Sequence, residues 1–405
     1  MLIAAGAGWY LNSSVLGGLA TSNALAGLVR GGARDGDLNI LLMGLDSRRD
    51  NDGGDLPAAT LAQLHAGSSS DVGGYNTNTL ILLHVPKDGS RATALSIPRD
   101  DDVDLPDGLG QHKIKEAYGR AKAAAESAAT ASGTTDHAQL EQLGREAGRK
   151  AAIESVRDLL GVNVDHFAEV NLAGFYDLAN ALGGVRVCLR HAVQDRYSGA
   201  DFSAGVQSLD GAQSLAFVRQ RHGLPNGDLD RTHRQQAFLA SAVHRLRSDG
   251  VLSDLGKIGP LLDVAHKDLV VDAGLDLLSF ARRAGAVTAG NVTFYTLPIE
   301  GYAMQDGEAV NVIDPVKVKQ VAQRLLAGGM PTDADSVSAA PATGPEIPQI
   351  AQDEAMQKKA TQKEVPTHAS TRHSSRTKQA ATPATSASAS PDPSISAPPG
   401  VPCVD

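Results

Sequence analysis

Three apolar runs stand close together early in the chain: residues 38–45 (LNILLMGL), 79–85 (TLILLHV) and 92–97 (ATALSI). Each has the length of a strand, and its apolarity is almost unbroken. A strand with one wet face would alternate, so these runs predict strands covered on both faces. That requires helices above and below a sheet. Lys87-Asp88-Gly89 separates the last two runs and reads as a hairpin turn.

The pattern continues in mixed order. Helices are predicted over 113–131, 137–160 (stopping before Gly161), 172–182 (closed by Gly183-Gly184), 209–218, 231–247, 252–265 and 275–284. Strands are predicted over 167–170, 185–189 and 292–297. Strands and helices interleaved in one block indicate an α/β fold, an α-β-α sandwich with a central mixed sheet and helices on both faces. There is no internal repeat.

The flanks differ from this block. Residues 1–11 (MLIAAGAGWYL) are apolar but too short to span a bilayer, which takes about 20 residues. Two readings stand: a short buried or interfacial segment, or the outer half of a transmembrane helix, with Trp9 and Tyr10 at the interface. From 331 to 405 there is no Phe, Tyr or Trp, and Ala, Ser, Thr and Pro abound. Such a stretch cannot bury enough apolar surface to offset its ordering entropy. The expected organisation is an anchor and juxtamembrane linker over 1–35, a catalytic domain over 36–328 and a disordered tail over 329–405.

The net charge of −9 argues against a nucleic-acid partner held by bulk positive charge. Two cysteines, Cys188 and Cys403, exclude a disulfide-dense scaffold and a Cys-based zinc site. They leave open a single disulfide or two unrelated thiols.

Four polar clusters sit where strands end or helices begin, positions from which a scaffold presents side chains to a ligand. They are Asp46-Ser47-Arg48-Arg49, Pro98-Arg99-Asp100-Asp101-Asp102, His112-Lys113-Ile114-Lys115, and a longer one running from Arg219 to Gln236. In the last, Arg219 and Arg221 follow one helix, and Arg231 and Arg234 open another. The loop Asn226-Gly227-Asp228 can fold the two pairs toward one point. Four guanidiniums brought together repel unless an anion lies between them, and Arg grips phosphate oxygens through paired hydrogen bonds. Asp46 and Asp100 add hard oxygen ligands of the kind that hold Mg²⁺ together with phosphates. No Walker glycine loop, GxSxG elbow or HExxH motif is present. Arginines with aspartates and no evident nucleophile point to phosphoryl chemistry by positioning and charge neutralisation.

The same stretches resemble the LytR-CpsA-Psr family: NILLMGLDSR (39–48), ALSIPRDDDVDLP (94–106), KIKEAYGRA (113–121), DHFAEVNLAGFYDLANALGGVRVCL (165–189) and DGAQSLAFVRQRHGLPNGDLDRTHRQQAFL (210–239). The resemblance implies a single-pass membrane protein with an extracytoplasmic α/β domain. It implies transfer of a phosphosugar polymer from a polyprenyl-pyrophosphate carrier to peptidoglycan, with Mg²⁺ as cofactor and the membrane lipid as neighbour. The family's pyrophosphate-binding arginines fall on Arg99, Arg219, Arg221 and Arg231, and its first carboxylate on Asp46. Arg48, Lys113, Lys115, Asp228, Arg234 and Gln235 are the further candidate substrate contacts. Asp46, Asn78 and Asp100 are the candidate metal ligands. A tunnel for the lipid tail would be lined by apolar faces of the sheet and of helices such as 172–182.

Three departures from the family pattern stand out. Asn78 occupies a position where the family often has an aspartate, so an amide replaces a charged ligand there. Two inserts, 50–74 and roughly 122–150, suit a lid or a partner surface. Some relatives pair the cysteine at Cys188 with one in the following loop; here that loop has none, leaving Cys188 free and buried or reaching Cys403. The resemblance also leaves other readings: a hydrolase on the same lipid-linked substrate, a non-catalytic wall-polymer binder, or a transcriptional attenuator. The last lacks a helix-turn-helix pattern, and the acidic balance disfavours phosphate-backbone binding.

Overall fold

The three early runs form adjacent strands. A computed structural model of the chain describes residues 18–28, 36–65, 74–248, 255–275, 292–332 and 397–405. In chain order the strands and helices are β1 (Ala20–Ser22), β2 (Leu38–Leu45), α1 (Ala58–Gln63), β3 (Thr77–Val85), β4 (Ala92–Ser96), β5 (Asp102–Leu105), β6 (Gly110–Lys113), α2 (Ala117–Ala131), α3 (His137–Leu160), β7 (His166–Asn171), α4 (Leu172–Ala181), β8 (Val185–Leu189), β9 (Val193–Asp195), β10 (Ala200–Phe202), β11 (Gly205–Leu209), α5 (Gly211–Arg219), α6 (Asp228–Ser248), α7 (Leu255–Asp268), β12 (Leu269–Asp272), β13 (Val292–Thr296), β14 (Gly301–Gln305), β15 (Glu308–Val312), α8 (Pro315–Leu326) and β16 (Cys403–Val404). Seven strands make the central sheet, in the order β1-β12-β7-β2-β3-β4-β13. β2 runs antiparallel to β3 and parallel to β7, and β13 runs parallel to β4. The sheet is therefore mixed, as expected.

Strand periodicity divides its side chains between two cores. Leu41, Met43 and Leu45 of β2 and Leu80 and Leu82 of β3 join Tyr118, Ile153, Val156, Val318 and Val321 from α2, α3 and α8. Ile40, Ile81 and Leu83 face the other way, packed with Leu239 of α6. A third cluster joins Leu172, Val185, Leu215, Phe217 and Phe238, so α4, α5 and α6 form a layer with β8. Helix ends follow local chemistry. The Asp136 side chain accepts from the first-turn N–H groups of α3, and Gly161 ends that helix in the left-handed region at φ 64°.

Several expectations need correction. Lys113 is the last residue of β6, not a helix start; the helix begins at Ala117 after a short 3₁₀ turn. Leu209 closes β11, and Asp210 caps α5. The folded unit reaches further than 36–328. β1 falls inside the stretch assigned to a linker, yet it pairs with β12. At the other end, residues 397–405 are not a disordered tail. Cys403 pairs with Cys188 along β8, and the two form a disulfide with Cα atoms 4.4 Å apart. The reading of two unrelated thiols is thereby replaced. The anchor assigned to 1–11, nearly all of the helix at 275–284, and tail residues 333–396 lie outside the described residues. Among the described residues, no helix is long and apolar enough to cross a membrane.

Candidate active site

The C-terminal ends of β2 and β4 and the N-terminal start of β3 meet at one edge of the sheet, because β3 runs antiparallel to both. Asp46, Asn78 and Arg99 sit on these three ends. The Asn78 amide bridges them: its Nδ2 donates to Asp46 Oδ2 at 2.8 Å, and its Oδ1 accepts from Arg99 Nη1 at 2.6 Å. A register shift between Gly44 and Leu45 distorts the ladder beside this contact.

Helix α6 brings the second half. Asp228, at its first turn, accepts from Arg99 Nε at 3.1 Å and Arg231 Nη2 at 3.0 Å, and forms an ion pair with Arg221, whose Nε lies 3.2 Å away. Asp100 lies 3.4 Å from Arg99 Nε and 2.5 Å from Lys115 Nζ. Arg48 feels both Asp46 and Arg219. Arg219 donates to the Leu64 carbonyl at 2.9 Å. Six cations thus gather around three carboxylates, in a setting where Arg99 and Arg231 are only 7% and 4% exposed.

That imbalance registers in the titration of the groups. Burial, and after it the charge of Arg99, holds Arg231 and Arg221 below the ordinary guanidinium value. The same causes bring the Lys115 ammonium down to about 8. Burial would raise Asp100 and Asp228, but their cationic neighbours outweigh it and hold both below the usual carboxylate range. Asp100 and Asp228 are charged and engaged by cations, and positive charge is left over. An anion entering the cluster relieves that excess, most effectively one with several oxygens.

The match to known proteins decides the lineage. The sequence model of the LytR_cpsA_psr family matches residues 20–326. The chain belongs to the LytR-CpsA-Psr family. It is 42% identical over 341 residues to the cell wall biosynthesis protein LcpA of Corynebacterium glutamicum, covering 83% of this chain and 65% of LcpA. The chain thus spans just under two thirds of that relative. It is 29% identical over 276 residues to the polyisoprenyl-teichoic acid–peptidoglycan teichoic acid transferase TagU of Oceanobacillus iheyensis, covering 68% of this chain and 69% of TagU. A Streptococcus agalactiae protein of known crystal structure shares the fold, with a TM-score of 0.52 at 20% identity over 73% of this chain and 90% of that one.

Of the candidate site residues, Asp46, Arg99, Arg221, Asp228 and Arg231 converge, with Asn78, Asp100 and Lys115 among them, Arg48 beside Asp46 and Arg219 near Arg48. Three do not join them. Arg234 is entirely buried; its Nε donates to the Asp405 carbonyl at 2.6 Å and its Nη1 to Gln220 Oε1 at 2.7 Å, with the guanidinium 5.0 Å from the Phe217 ring centre. It bolts the C-terminal segment to α5 and α6. Lys113 pairs with Glu308 of β15 at 2.7 Å. Gln235 Nε2 reaches the Val218 carbonyl at 3.4 Å, latching α6 to the end of α5.

The metal ligands also sort. Asn78 Oδ1 is held by Arg99, and both Asp100 oxygens face cations. Only Asp46 of the three keeps a buried oxygen, Oδ1, without a hydrogen-bond partner among the described residues. No group of three or more His, Cys, Asp or Glu side chains among the described residues could hold a metal ion alone. The donor set therefore suits one carboxylate shared with a ligand's phosphate oxygens, a common arrangement for Mg²⁺.

Sequence reading missed Asn311. Its N–H donates to the Asp100 carbonyl at 2.8 Å and its Nδ2 to the fully buried Asp101 Oδ1 at 2.9 Å, so it clamps the Arg99-Asp100 turn from the β14–β15 hairpin. No sequence signal connects those two segments.

Proposed function

We propose that this chain is a phosphotransferase of cell-wall assembly. It passes a glycopolymer phosphate from a polyprenyl-pyrophosphate carrier to a peptidoglycan hydroxyl. The observation that carries this reading is the charge imbalance at Asp228: Arg99, Arg221 and Arg231 converge on one carboxylate, with Lys115, Arg48 and Arg219 close by. A pyrophosphate fits that excess.

In phosphoryl transfer the protein chiefly positions groups and neutralises charge. Arg99, Arg221 and Arg231 would hold the pyrophosphate through charge-assisted hydrogen bonds and stabilise charge that builds on the leaving phosphate. Asp228 and Asp100 keep those cations from splaying apart. Asn78 fixes the distance from Arg99 to Asp46. Asp46 Oδ1, which has no hydrogen-bond partner among the described residues, would hold the metal or accept the proton that leaves the acceptor hydroxyl. Mg²⁺, held by Asp46 Oδ1 and phosphate oxygens, would add charge neutralisation when bound.

The same reading places the domain outside the cytoplasm, tethered at the membrane that carries its lipid-linked donor. The Cys188–Cys403 disulfide supports this, since such bonds persist in oxidising compartments.

The test is reconstitution of the full chain with a lipid-pyrophosphate-linked glycopolymer, peptidoglycan and Mg²⁺. We expect polymer covalently joined to peptidoglycan and released polyprenyl phosphate. Soluble phosphorylated polymer formed equally without peptidoglycan would make the chain a hydrolase. Retained donor without turnover would make it a binder.

A further inference from the structure

Apart from the Leu64 carbonyl that Arg219 meets, the two inserts, 50–74 and roughly 122–150, have no part in the site as described so far. Helix α3 of the second insert carries an ionic cluster centred on Glu141, which reaches Asp50 at the start of the first insert and Tyr75 just beyond its end. Tyr75 Oη donates to Glu141 Oε1 at 2.6 Å, and Arg145 Nε donates to the same oxygen at 2.6 Å. Lys122 Nζ of α2 stands 2.7 Å from Glu141 Oε2. Arg145 then reaches on: its Nη2 donates to the Asp50 carbonyl at 2.6 Å. Tyr75 stacks on the buried Tyr118 with ring centres 6.2 Å apart. The side chains of Glu141 and Arg145 are 14% and 2% exposed. Burial would raise the Glu141 carboxyl, but hydrogen bonds from Lys122, Tyr75 and Arg145 outweigh it and bring it down to about 2.

What lies next to the two ends of this cluster gives it a consequence. Asp50 closes the loop that begins with Asp46 and carries Arg48. Tyr75 leads into Asn76 and Asn78. The Asp46 N–H donates to the Asn76 carbonyl at 2.8 Å, and the Asn78 amide holds the Asp46 carboxylate. Both segments that set the place of Asp46 are therefore tied to one carboxylate on an inserted helix. The arginine side of the site is anchored elsewhere, on α6 and the turn after β4.

We propose that Glu141, acting through Arg145 and Tyr75, is a positioning residue that fixes the Asp46 carboxylate against the arginine cluster. The inference rests on the functional reading above, which puts Asp46 at the reacting groups. The inserted part of α3 is then a brace on one wall of the site. A buried ion network is weak evidence for anything beyond packing, so the test has to separate positioning from stability.

Two variants do so in the full chain: Glu141→Gln, which keeps one hydrogen-bond acceptor for Tyr75 but removes the charge, and Arg145→Lys, which keeps the charge but cannot bridge Glu141 and the Asp50 carbonyl. For Glu141→Gln we expect kcat for polymer transfer to fall about tenfold, as for a small misplacement at a reacting group. Affinity for inorganic pyrophosphate should stay within twofold. Hydrogen exchange at amides 46–50 and 75–78 should quicken while amides 99–101 and 228–231 keep their protection. Arg145→Lys should loosen 46–50 alone, and it decides the matter if Glu141→Gln fails to fold. Unchanged kcat, or exchange that rises equally on the arginine side, would overturn the proposal. If the parent chain transfers no polymer, the functional reading fails instead, while the exchange pattern still decides whether Glu141 positions Asp46.

Discussion

Two arginines three residues apart on α6 behave in opposite ways. Arg231 and Arg234 are both buried, on a helix whose first turn carries Asp228 and Asp230. Arg234 has a backbone carbonyl, an amide oxygen and an aromatic face around it, and the charges that act on it are those of carboxylates, Asp230, Asp405 and Asp195. Arg231 shares its one carboxylate with Arg99 and Arg221. Burial alone therefore does not mark a functional arginine. The mark is unrelieved like charge, which a fold retains only where a ligand later offsets it.

The contrast can be broken by substitution. Arg231→Ala should lower turnover on the order of 10²–10³-fold, as removal of one preorganised donor to a developing oxyanion does, with the melting temperature little changed. Arg234→Ala should do the reverse. It strips a charged donor from one buried and one half-buried acceptor, which costs about 1–3 kcal/mol of stability, and turnover per folded molecule should stay near the parent's. Thermal melts and rates measured on the same preparations compare the two directly.

The C-terminal segment sharpens the same division. Cys403→Ser removes the cross-link to Cys188 and should lower stability by about 2–4 kcal/mol. Transfer measured well below the melting temperature should persist. A loss of turnover without loss of stability would show that residues 397–405 act on the reaction.

Much of this was legible in the sequence. Strands 38–45 and 185–189 and helix 137–160 match the observed bounds, because an unbroken apolar run or a capped helical stripe is a local signal. The short strands β5, β6, β14 and β15 carry no such signal: they are hairpins of four- and five-residue strands with buried and exposed side chains mixed, defined by their pairing. β1 and β16 are three and two residues long and exist only through distant partners. In the site, Asp46, Arg99, Arg221 and Arg231 were legible from their place at strand and helix ends. Arg234 was misassigned because its partners, Asp405 and Gln220, cannot be inferred from spacing along the helix. Asp228 was seen as a substrate contact, but its oxygens are occupied by three arginines. Glu141 and Asn311 were invisible as site supports, since their contacts join segments far apart in the chain.

A smaller effect concerns pH. Lys115 is held down to about 8, below its unfolded value of 10.5. Its charged form is thus disfavoured in the fold, a cost present below about pH 8 that vanishes as pH rises toward 10.5. Anion binding runs the other way. As pH rises through about 8, the cluster loses one positive charge, and affinity for a phosphate ligand should fall a few-fold. Lys115→Arg should flatten that dependence, because Arg keeps its charge.

The most direct measurement is calorimetric titration of inorganic pyrophosphate into the parent chain, Arg231→Ala and Arg234→Ala at one fixed ionic strength. We expect saturable binding of one pyrophosphate to the parent and to Arg234→Ala, and affinity at least about tenfold weaker in Arg231→Ala, the loss of one charge-assisted phosphate contact. Equal affinity in all three folded proteins would mean that the cluster at Asp228 is not the pyrophosphate site.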